Sequence, residues 1–266
     1  MKITIVTVCF NEESNIARTV ESVLNQTSSD FEYIICDGAS KDKTVEIAKS
    51  YSDAFMKKGI KYIVNSEKDK GIYDGMNKGI DLASEQYIYF LNAGDWFCSN
   101  DIIEKVSDAA EKNGFPDVIY GNVYGVERTV VNLFKSSDDD LEHHMICHQG
   151  IFVSTVLMKE KKFDLNYRIA ADYKFVLGLK REGKMFFGID LVVAYFSLDG
   201  VSTKNIEARY LEHAAIQELY GIPVDNNHMR KCISKESKAQ KIKNLMPLKL
   251  WRWWSVKVKG KTLLDA

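Results

Sequence analysis

Residues 87–96 read YIYFLNAGDW, and the interpretation of the whole chain starts from this stretch. Its first half is a short apolar run of aromatic and β-branched residues, which favours a buried strand over a helix. The small residues that follow let the backbone turn and leave Asp95 at the carboxyl end of that strand. Ligands of open α/β sheets bind at this end, and a carboxylate is a hard oxygen ligand for a divalent cation. The alternative interpretation is that Asp95 only caps the turn or the helix that follows.

Segments with strand and helix patterns alternate along the chain. The sequence predicts strands at residues 3–8, 31–36, 61–65, 87–91, 117–122, 185–189 and 192–197, and a strand or hairpin at 123–134. Apolar spacing typical of helices separates the first four strands, and the second helix is predicted to end near residue 51. This alternation predicts an α/β fold with a mixed, mostly parallel sheet flanked by helices and right-handed crossovers.

Each loop after one of the first four strands carries at least one acidic residue, and the predicted winding brings these loops to one edge of the sheet. The acids are Glu12, Asp37, the pair Glu67 and Asp69, and Asp95. Asp37 is expected to face the crevice, where it can accept hydrogen bonds from a ribose hydroxyl or a base. The alternative interpretation is that Asp37 and Ser40 only satisfy backbone donors of the turn. Glu67 and Asp69 lie among lysines and, taken alone, would be interpreted as exposed loop charges. Only the pattern of four acidic loops makes them candidate site residues.

The composition is that of an ordinary globular protein. The 266 residues include 45% hydrophobic and 27% charged residues, enough for one large core or two unequal ones. No signal peptide and no run of about 18 apolar residues is apparent. The five cysteines are scattered and lack a CxxC spacing, which is typical of reduced thiols in a cytoplasmic protein.

The charge is divided unevenly along the chain. From Met229 onward there are eleven Lys/Arg and two Asp/Glu, whereas the part before it has 25 basic and 35 acidic residues. A basic end predicts an anionic partner, and the acidic body argues against nucleic acid. Residues 235–266 also contain Trp251, Trp253 and Trp254. Indole rings among lysines suit the surface of an anionic bilayer; the alternative is a helix that packs its tryptophans on the body or on a partner subunit.

Three polar residues in the second half of the chain are predicted to line a site. His148 and Gln149 follow an acidic loop and are expected to form part of its wall, although a core histidine is also possible. His144 and His148 are four residues apart, which on a helix would allow a zinc pair, but no third ligand with suitable spacing is evident. Asp172 lies at the predicted start of a helix, where the helix N-terminus is expected to lower its pKa. The alternative role for Asp172 is an N-cap.

Taken together, these motifs resemble the family 2 glycosyltransferases with the GT-A fold, which build bacterial surface polysaccharides. The resemblance covers about residues 1–200, and its segments are TVCFNE at 7–12, SVLNQT at 22–27, DGASKDKT at 37–44, SEKDKGIYDGMNKG at 66–79, FLNAGD at 90–95, HQ at 148–149 and ADY at 171–173. It implies a domain at 1–220, with a nucleotide-sugar half at 1–122 and an acceptor half at 123–220, and a basic extension at 221–266.

The resemblance also implies roles for single residues. Asp37 and Asp69 would bind the nucleoside, and Asp95, as the last acid of a DxD motif, would hold Mn²⁺ or Mg²⁺. The first acid of that motif is Asn92 here, and Ala171 replaces the glutamate that more usually precedes the catalytic Asp172. The complete implied donor site is Thr7, Asn11, Glu12, Asp37, Glu67, Asp69, Asn77 and Asn92, and the implied acceptor pocket is Trp96, His148 and Gln149.

This resemblance implies an inverting, metal-dependent enzyme with a nucleotide-diphosphate sugar as donor, UDP being favoured. The resemblance does not carry over the sugar or the acceptor. If residues 235–266 bind the membrane, the expected acceptor is a saccharide or a polyprenyl-linked saccharide at the inner face of the cell membrane, and an oligomer is possible. Two other classes are weighed against it. A sugar nucleotidyltransferase would need a basic, glycine-rich loop where this chain has Asn11 and Glu12. A non-catalytic sugar-binding scaffold would be expected to lack Asp95 or Asp172, and both are present.

Overall fold

The computed structural model describes residues 1–198, 200–259 and 261–264. Contacts within the chain divide it into two compact units. The first unit comprises Met1–Val123 and Lys135–Phe196, and the second comprises Tyr124–Phe134 and Ser197–Ala266. All residues predicted for the donor and acceptor sites belong to the first unit.

Strands and helices alternate through the first half of the first unit. In chain order the elements are β1 Ile3–Cys9, α1 Ile16–Leu24, β2 Phe31–Asp37, α2 Thr44–Ser50, α3 Ser52–Lys57, β3 Tyr62–Ser66, α4 Ile72–Leu82, β4 Tyr87–Phe90, β5 Trp96–Phe97 and α5 Ile102–Lys112. Strand β1 pairs in parallel with both β2 and β4, and β2 pairs in parallel with β3. The predicted alternation and parallel pairing are confirmed. A short helix, α3, follows the predicted second helix and was not anticipated.

The second half of this unit adds antiparallel strands and two helices. The elements in this part of the chain are β6 Val118–Glu127, β7 Val130–Phe134, β8 Ile151–Ser154, α6 Thr155–Lys161, α7 Ala171–Arg181 and β9 Phe186–Ser197. Strand β6 extends into the second unit, and β7 belongs to it. The sheet order through the first unit is β6-β8-β4-β1-β2-β3, and β8 is antiparallel to both β4 and β6. The fold is therefore the predicted mixed, mostly parallel α/β type. The two strands predicted at 185–197 are one strand, because the polar Asp190 between them is exposed to solvent and does not interrupt it.

Strands β1 and β2 are buried at every position, as expected for parallel strands covered on both faces. The burial includes Glu32, whose carboxylate accepts hydrogen bonds from Thr4 Oγ1 at 2.7 Å, from Ser84 Oγ at 2.8 Å and from Lys61 Nζ at 2.6 Å. Burial raises the pKa of Glu32, but these hydrogen bonds outweigh it and the net shift is downward. Glu32 thus ties several chain segments together at the amino-terminal edge of the sheet, away from the predicted site.

The second unit is mainly helical. Its elements are α8 Val201–Lys204, α9 Ile206–Leu219, α10 Asn226–Leu245, α11 Leu248–Trp253, a π-helical turn at Trp254–Val258, and β10 Thr262–Leu263, which is antiparallel to β7. Asp225 caps α10, because its carboxylate accepts from the backbone N–H groups of Asn227 and His228 at 2.9 Å. Among the described residues, no helix is both long and apolar enough to cross a membrane.

The three tryptophans of the second unit have different environments. Trp251 is 1% exposed and lies in the interior, Trp254 is half-buried, and Trp253 is 57% exposed. The prediction grouped them as one interfacial cluster; for Trp251 the alternative, packing on the protein, is the one observed. Trp251 and Trp254 are three residues apart and their ring centroids lie within 5.6 Å of each other, whereas Trp253 is exposed; residue type alone does not reveal this difference.

Candidate active site

The Asp37 carboxylate lies at the carboxyl end of β2 and is only 2% exposed. It accepts a hydrogen bond from Ser66 Oγ at 2.6 Å and one from the Ser40 backbone N–H at 2.9 Å, and Ser40 Oγ also donates to it. The turn-stabilising role considered for Asp37 and Ser40 is therefore present. The same bonds join the ends of β2 and β3, since Ser66 is the last residue of β3.

Asp69 lies against the loop that begins at Asp37, and two glycines make room for it. A Cβ atom added to Gly38 would come within 2.6 Å of Asp69 Oδ2, and one added to Gly75 within 3.3 Å of the same oxygen. The Gly71 backbone N–H donates to Asp69 Oδ1 at 3.0 Å. Gly38, Gly71 and Gly75 thus place the Asp69 carboxylate beside the Asp37 turn.

The loops after β1 and β2 are joined by reciprocal hydrogen bonds. Asn11, in the left-handed region with φ of 55°, accepts from the Lys41 N–H at 2.9 Å and donates its own N–H to Ser40 Oγ at 2.7 Å. Asparagine is among the few non-glycine residues that adopt this conformation readily. The Glu12 N–H donates to Thr44 Oγ1 at 2.7 Å. Asn11 and Glu12 therefore lie beside the Asp37 turn.

Two residues predicted for the donor site have their polar atoms engaged within the fold. Thr7 Oγ1 donates to the Leu91 carbonyl at 2.6 Å. Asn77 accepts from the Phe163 N–H and donates to the Phe163 carbonyl, both at 2.9 Å. Glu67, in contrast, is exposed and lies 3.5 Å from Lys78 Nζ. Thr7 and Asn77 thus fix the backbone around the site, and Glu67 lies at its outer rim.

Helix α1 holds the turn at residues 92–95. Thr19 Oγ1 donates to the Asp95 carbonyl at 2.8 Å and accepts from the Gly94 N–H at 2.9 Å. Gly94 has a φ of 96°, which favours glycine. Arg18 donates to the Gly94 carbonyl at 2.7 Å, and its guanidinium lies 3.7 Å above the ring of Trp96. Asp95 is 6% exposed, so its carboxylate is largely shielded from bulk water.

A hydrogen-bonded chain connects this turn with Asp172. Asn92 Nδ2 lies 3.1 Å from His148 Nε2, and His148 Nδ1 lies 3.3 Å from Asp172 Oδ2. Tyr73 donates to Asp172 Oδ1 at 2.8 Å, and the Tyr173 N–H donates to the same oxygen at 2.9 Å. Asp172 lies in the first turn of α7 and does not cap it through its side chain. Asp172, on α7, is therefore connected through His148 to Asn92 on the turn that carries Asp95.

The surroundings of Asp172 keep its carboxylate ionised. Burial raises the pKa of Asp172 most strongly, but the hydrogen bond from His148, the electrostatic interaction with the same ring, and the hydrogen bonds from Tyr73 and the Tyr173 N–H outweigh it. The net shift is downward, as expected from the sequence, although these side chains rather than the helix N-terminus are its main cause. Cys147 lies close by, and burial together with Asp172 raises the pKa of its thiol to about 12.

The zinc pair considered for His144 and His148 is not formed. His144 lies in a turn with Nδ1 2.8 Å from Asp140, whereas His148 begins the short 3-10 helix His148–Gly150. Among the described residues, no three His, Cys, Asp or Glu side chains gather into a metal-binding cluster. A divalent cation at this edge would therefore need ligand oxygens from a bound molecule in addition to Asp95.

Asn92 offers a second protein oxygen for such a cation. Its Oδ1 is buried and has no hydrogen-bond partner within the part of the chain that the structure describes. A buried, unpartnered carbonyl oxygen is costly unless a ligand satisfies it. The hydrogen bond from the Asp95 N–H to the Asn92 carbonyl, at 3.0 Å, places both residues on one turn. A carboxylate and an amide oxygen together fit a hard cation.

Several residues of the site were not predicted from the sequence. They are Arg18, Thr19, Tyr73 and Ser66, whose polar atoms orient the predicted acids. Thr19 lies on the buried face of an amphipathic helix. A polar residue at a position predicted to be buried is the sequence signal that could have identified Thr19 as a site residue. Tyr73 and Ser66 act on partners that are distant in sequence, so no local pattern indicates them.

Comparison with known proteins gives the family. The model of glycosyl transferase family 2 matches residues 4–182. The chain belongs to this family, and it is a glycosyltransferase enzyme.

Two relatives are named as glycosyltransferases of stated function. A PGL/p-HBAD biosynthesis glycosyltransferase of Mycobacterium tuberculosis is 29% identical over 210 residues, which cover 76% of this chain and 80% of the relative. The UDP-Glc:alpha-D-GlcNAc-diphosphoundecaprenol beta-1,3-glucosyltransferase of Escherichia coli is 26% identical over 198 residues, 73% of this chain and 76% of the relative.

Solved structures support the GT-A fold. The S. aureus TarS fragment 1–349 in complex with UDP-GlcNAc aligns with a TM-score of 0.64 at 15% identity, covering 89% of this chain and 71% of the fragment. The chain spans 41% of a longer TarS structure. The mannosyltransferase PcManGT of Pyrobaculum calidifontis, in complex with GDP-Man and Mn2+, aligns with a TM-score of 0.62 at 15% identity, covering 88% of this chain and 68% of that one.

Proposed function

We propose that this enzyme transfers a sugar from a nucleotide-diphosphate donor, with inversion at the anomeric carbon, to a saccharide or lipid-linked saccharide in cell-surface polysaccharide synthesis. The observation that carries the proposal is the chain from Asn92 through His148 to Asp172. It puts a buried, ionised carboxylate next to the turn that bears Asp95. This arrangement supports a site at which the proposed base for the acceptor and the proposed ligand for the donor act together.

The nucleoside of the donor is assigned to the pocket formed by Asp37 and Asp69. The contact of Asp69 with Gly38 and Gly75 leaves no room for larger side chains between the two acids. Carboxylates can accept hydrogen bonds from a base or from ribose hydroxyls. Asn11, Glu12 and Glu67 complete the rim, whereas Thr7 and Asn77 keep the underlying backbone in place.

The donor diphosphate is assigned to the turn at residues 92–95. Asp95 and Asn92 Oδ1 would hold Mn²⁺ or Mg²⁺ there, and such an ion neutralises charge that develops on a leaving diphosphate. Only one of the two protein ligands is charged. We therefore expect the ion to bind weakly on its own and more tightly together with the nucleotide.

Asp172 is assigned as the general base. An acceptor hydroxyl gives its proton to Asp172 as its oxygen forms a bond to the anomeric carbon, and the bond from that carbon to the diphosphate oxygen breaks on the opposite side. Asp172 Oδ1 already accepts from Tyr73 and the Tyr173 N–H, so Oδ2 is the oxygen that takes the proton. Trp96 and Gln149 are assigned to the wall of the acceptor pocket.

Named relatives support the choice of substrates. The TarS structure contains UDP-GlcNAc, and the Escherichia coli relative is named for a UDP-Glc donor and a diphosphoundecaprenol-linked acceptor. We therefore favour a UDP-sugar as donor and a polyprenyl-diphosphate-linked saccharide as acceptor. An oligomer is compatible with this assignment, and nucleic acid is not expected as a partner.

We further propose that the second unit binds the inner face of the cell membrane through residues 235–266. Apolar side chains are exposed there, including Leu245 at 85% and Trp253 at 57%. Exposed lysines such as Lys249 and Lys257 lie among them. Apolar side chains interspersed with cations match an anionic bilayer surface, where the former enter the interface and the latter meet lipid headgroups.

The function is tested by measuring nucleotide release from UDP-, GDP- and dTDP-sugars. We expect UDP release that requires Mn²⁺ or Mg²⁺, is abolished by EDTA, and increases with a polyprenyl-diphosphate-linked saccharide. Product NMR would show a β linkage from an α-linked donor. A product that retains the donor configuration, or transfer that is unaffected by EDTA, would contradict the proposed mechanism.

Membrane binding is tested by sedimentation with vesicles that contain anionic lipid. The combined substitutions Leu245→Ser and Trp253→Ser are expected to reduce binding strongly. Leu211→Ser is the matched control, since Leu211 is also exposed but lies on α9. Equal sedimentation of all three proteins would reject the membrane assignment and leave the assignment of the active site unaffected.

A further inference from the structure

His148 is fixed by its own backbone. Tyr89 Oη donates to the Gln149 carbonyl at 2.7 Å. A Cβ atom at Gly150 would come within 2.5 Å of the Gly121 carbonyl oxygen, so only glycine permits this approach. The backbone next to His148 is therefore held from both sides, and the two contacts of the imidazole itself orient the ring.

One neutral tautomer of His148 satisfies both of its partners. The Asp172 carboxylate can only accept, so His148 Nδ1, at 3.3 Å from Oδ2, must carry a hydrogen to bond with it. In the neutral ring Nε2 is then an acceptor, and Asn92 Nδ2, at 3.1 Å, is a donor. The Asp172 carboxylate therefore selects the tautomer, and the tautomer selects the orientation of the Asn92 amide.

This orientation determines where Asn92 Oδ1 points. With Nδ2 bound to His148, Oδ1 is directed away from the ring, and it is the buried oxygen that has no partner within the described residues. Turning the amide around would place Oδ1 against the lone pair of Nε2, which is unfavourable. The hydrogen bond to the imidazole thus keeps Asn92 Oδ1 available to a bound sugar donor, on the turn that also carries Asp95.

We propose that His148 is a positioning residue that couples the two halves of the reaction, because it holds the Asp172 carboxylate for the acceptor and the Asn92 amide for the donor. The inference rests on the proposed function and deepens it. It predicts that one substitution at His148 harms both chemical turnover and donor binding. Substitution of Asp172 should instead harm mainly turnover, and substitution of Asn92 mainly donor binding.

The test compares three variants of the full chain. His148→Leu removes both hydrogen bonds and is expected to lower kcat about 10–100-fold and to weaken UDP-sugar affinity about tenfold, the scale for loss of a residue that orients a ligand. His148→Gln retains one donor and one acceptor and should recover most of both losses. His144→Leu is the matched control, since His144 is exposed and bonded to Asp140; both quantities should stay at the wild-type level.

A double-variant cycle provides the second readout. The double variant carries both His148→Leu and Asn92→Ala. Its donor affinity should equal that of whichever single variant binds the donor less tightly, because both substitutions act through the Asn92 amide. Additive losses, equal behaviour of the Gln and Leu variants, or unchanged donor affinity in His148→Leu would each overturn the inference. If His148→Leu does not fold, His148→Ala is assayed with added imidazole; absence of recovery together with an inactive Gln variant also overturns it. Failure of the proposed function is separate, since the wild-type enzyme would then release no nucleotide.

Discussion

Replacement of the Asp172 carboxylate by an amide tests the assignment of the base most directly. In Asp172→Asn, Oδ1 can still accept from Tyr73 and from the Tyr173 N–H, which now donate at 2.8 and 2.9 Å. The new Nδ2 replaces Oδ2 and cannot accept the hydrogen of His148 Nδ1, so this one hydrogen bond is lost. The shape and most hydrogen bonds of the site are therefore retained, and the ability to take a proton is lost.

The expected effect on turnover is large and the effect on stability is small. General-base assistance contributes about 10²–10⁴-fold to a rate, which corresponds to roughly 3–5.5 kcal/mol of the activation barrier. Loss of the charged hydrogen bond to His148 is expected to cost about 1–3 kcal/mol of unfolding free energy. Donor affinity should change by no more than about threefold, because the amide removes an interaction made only during transfer.

The assay combines transfer rate, donor affinity by calorimetry and thermal unfolding on the same preparation. Asp138→Asn is the matched control, because Asp138 also accepts from a tyrosine, Tyr120 at 2.5 Å, and from a cationic side chain, Lys180. The control should lose stability to a similar extent but transfer sugar normally. Near-normal transfer by Asp172→Asn, with donor binding intact, would remove Asp172 from the mechanism.

Three further predictions concern residues of the proposed donor site and of the core. Asp95→Ala should abolish the dependence of donor binding on Mn²⁺; calorimetry that shows unchanged metal-dependent binding would contradict the assignment. Gly38→Ala should weaken donor affinity because its Cβ would meet Asp69 Oδ2 at 2.6 Å, whereas Gly79→Ala, whose Cβ would meet a valine side chain at 2.4 Å, should mainly lower the melting temperature. Glu32→Gln should destabilise the protein by about 2 kcal/mol at pH 7. Because the pKa of Glu32 is lowered by folding, that difference should shrink as the pH falls below about 4; a pH-independent difference would refute it.

The sequence by itself determined the alternation of strands and helices and the acids at the ends of strands. These features depend on local periodicity, because a buried parallel strand such as β1 requires a continuous apolar run and a covering helix requires an apolar stripe. The fold class followed from that pattern. The position of Asp95 after β4 also followed, since a turn residue directly after a strand lies at its carboxyl end.

The tertiary structure alone decided how these acids are used. His148 lies 56 residues from Asn92 in the sequence and bridges it to Asp172 only because β8 pairs with β4. Thr7 and Asn77 had the right residue types for a binding site, but packing turned their polar atoms toward backbone groups. The direction of a side chain and the identity of its distant partners depend on the packing of whole elements. Local sequence patterns specify which elements form and leave those contacts to the assembled fold.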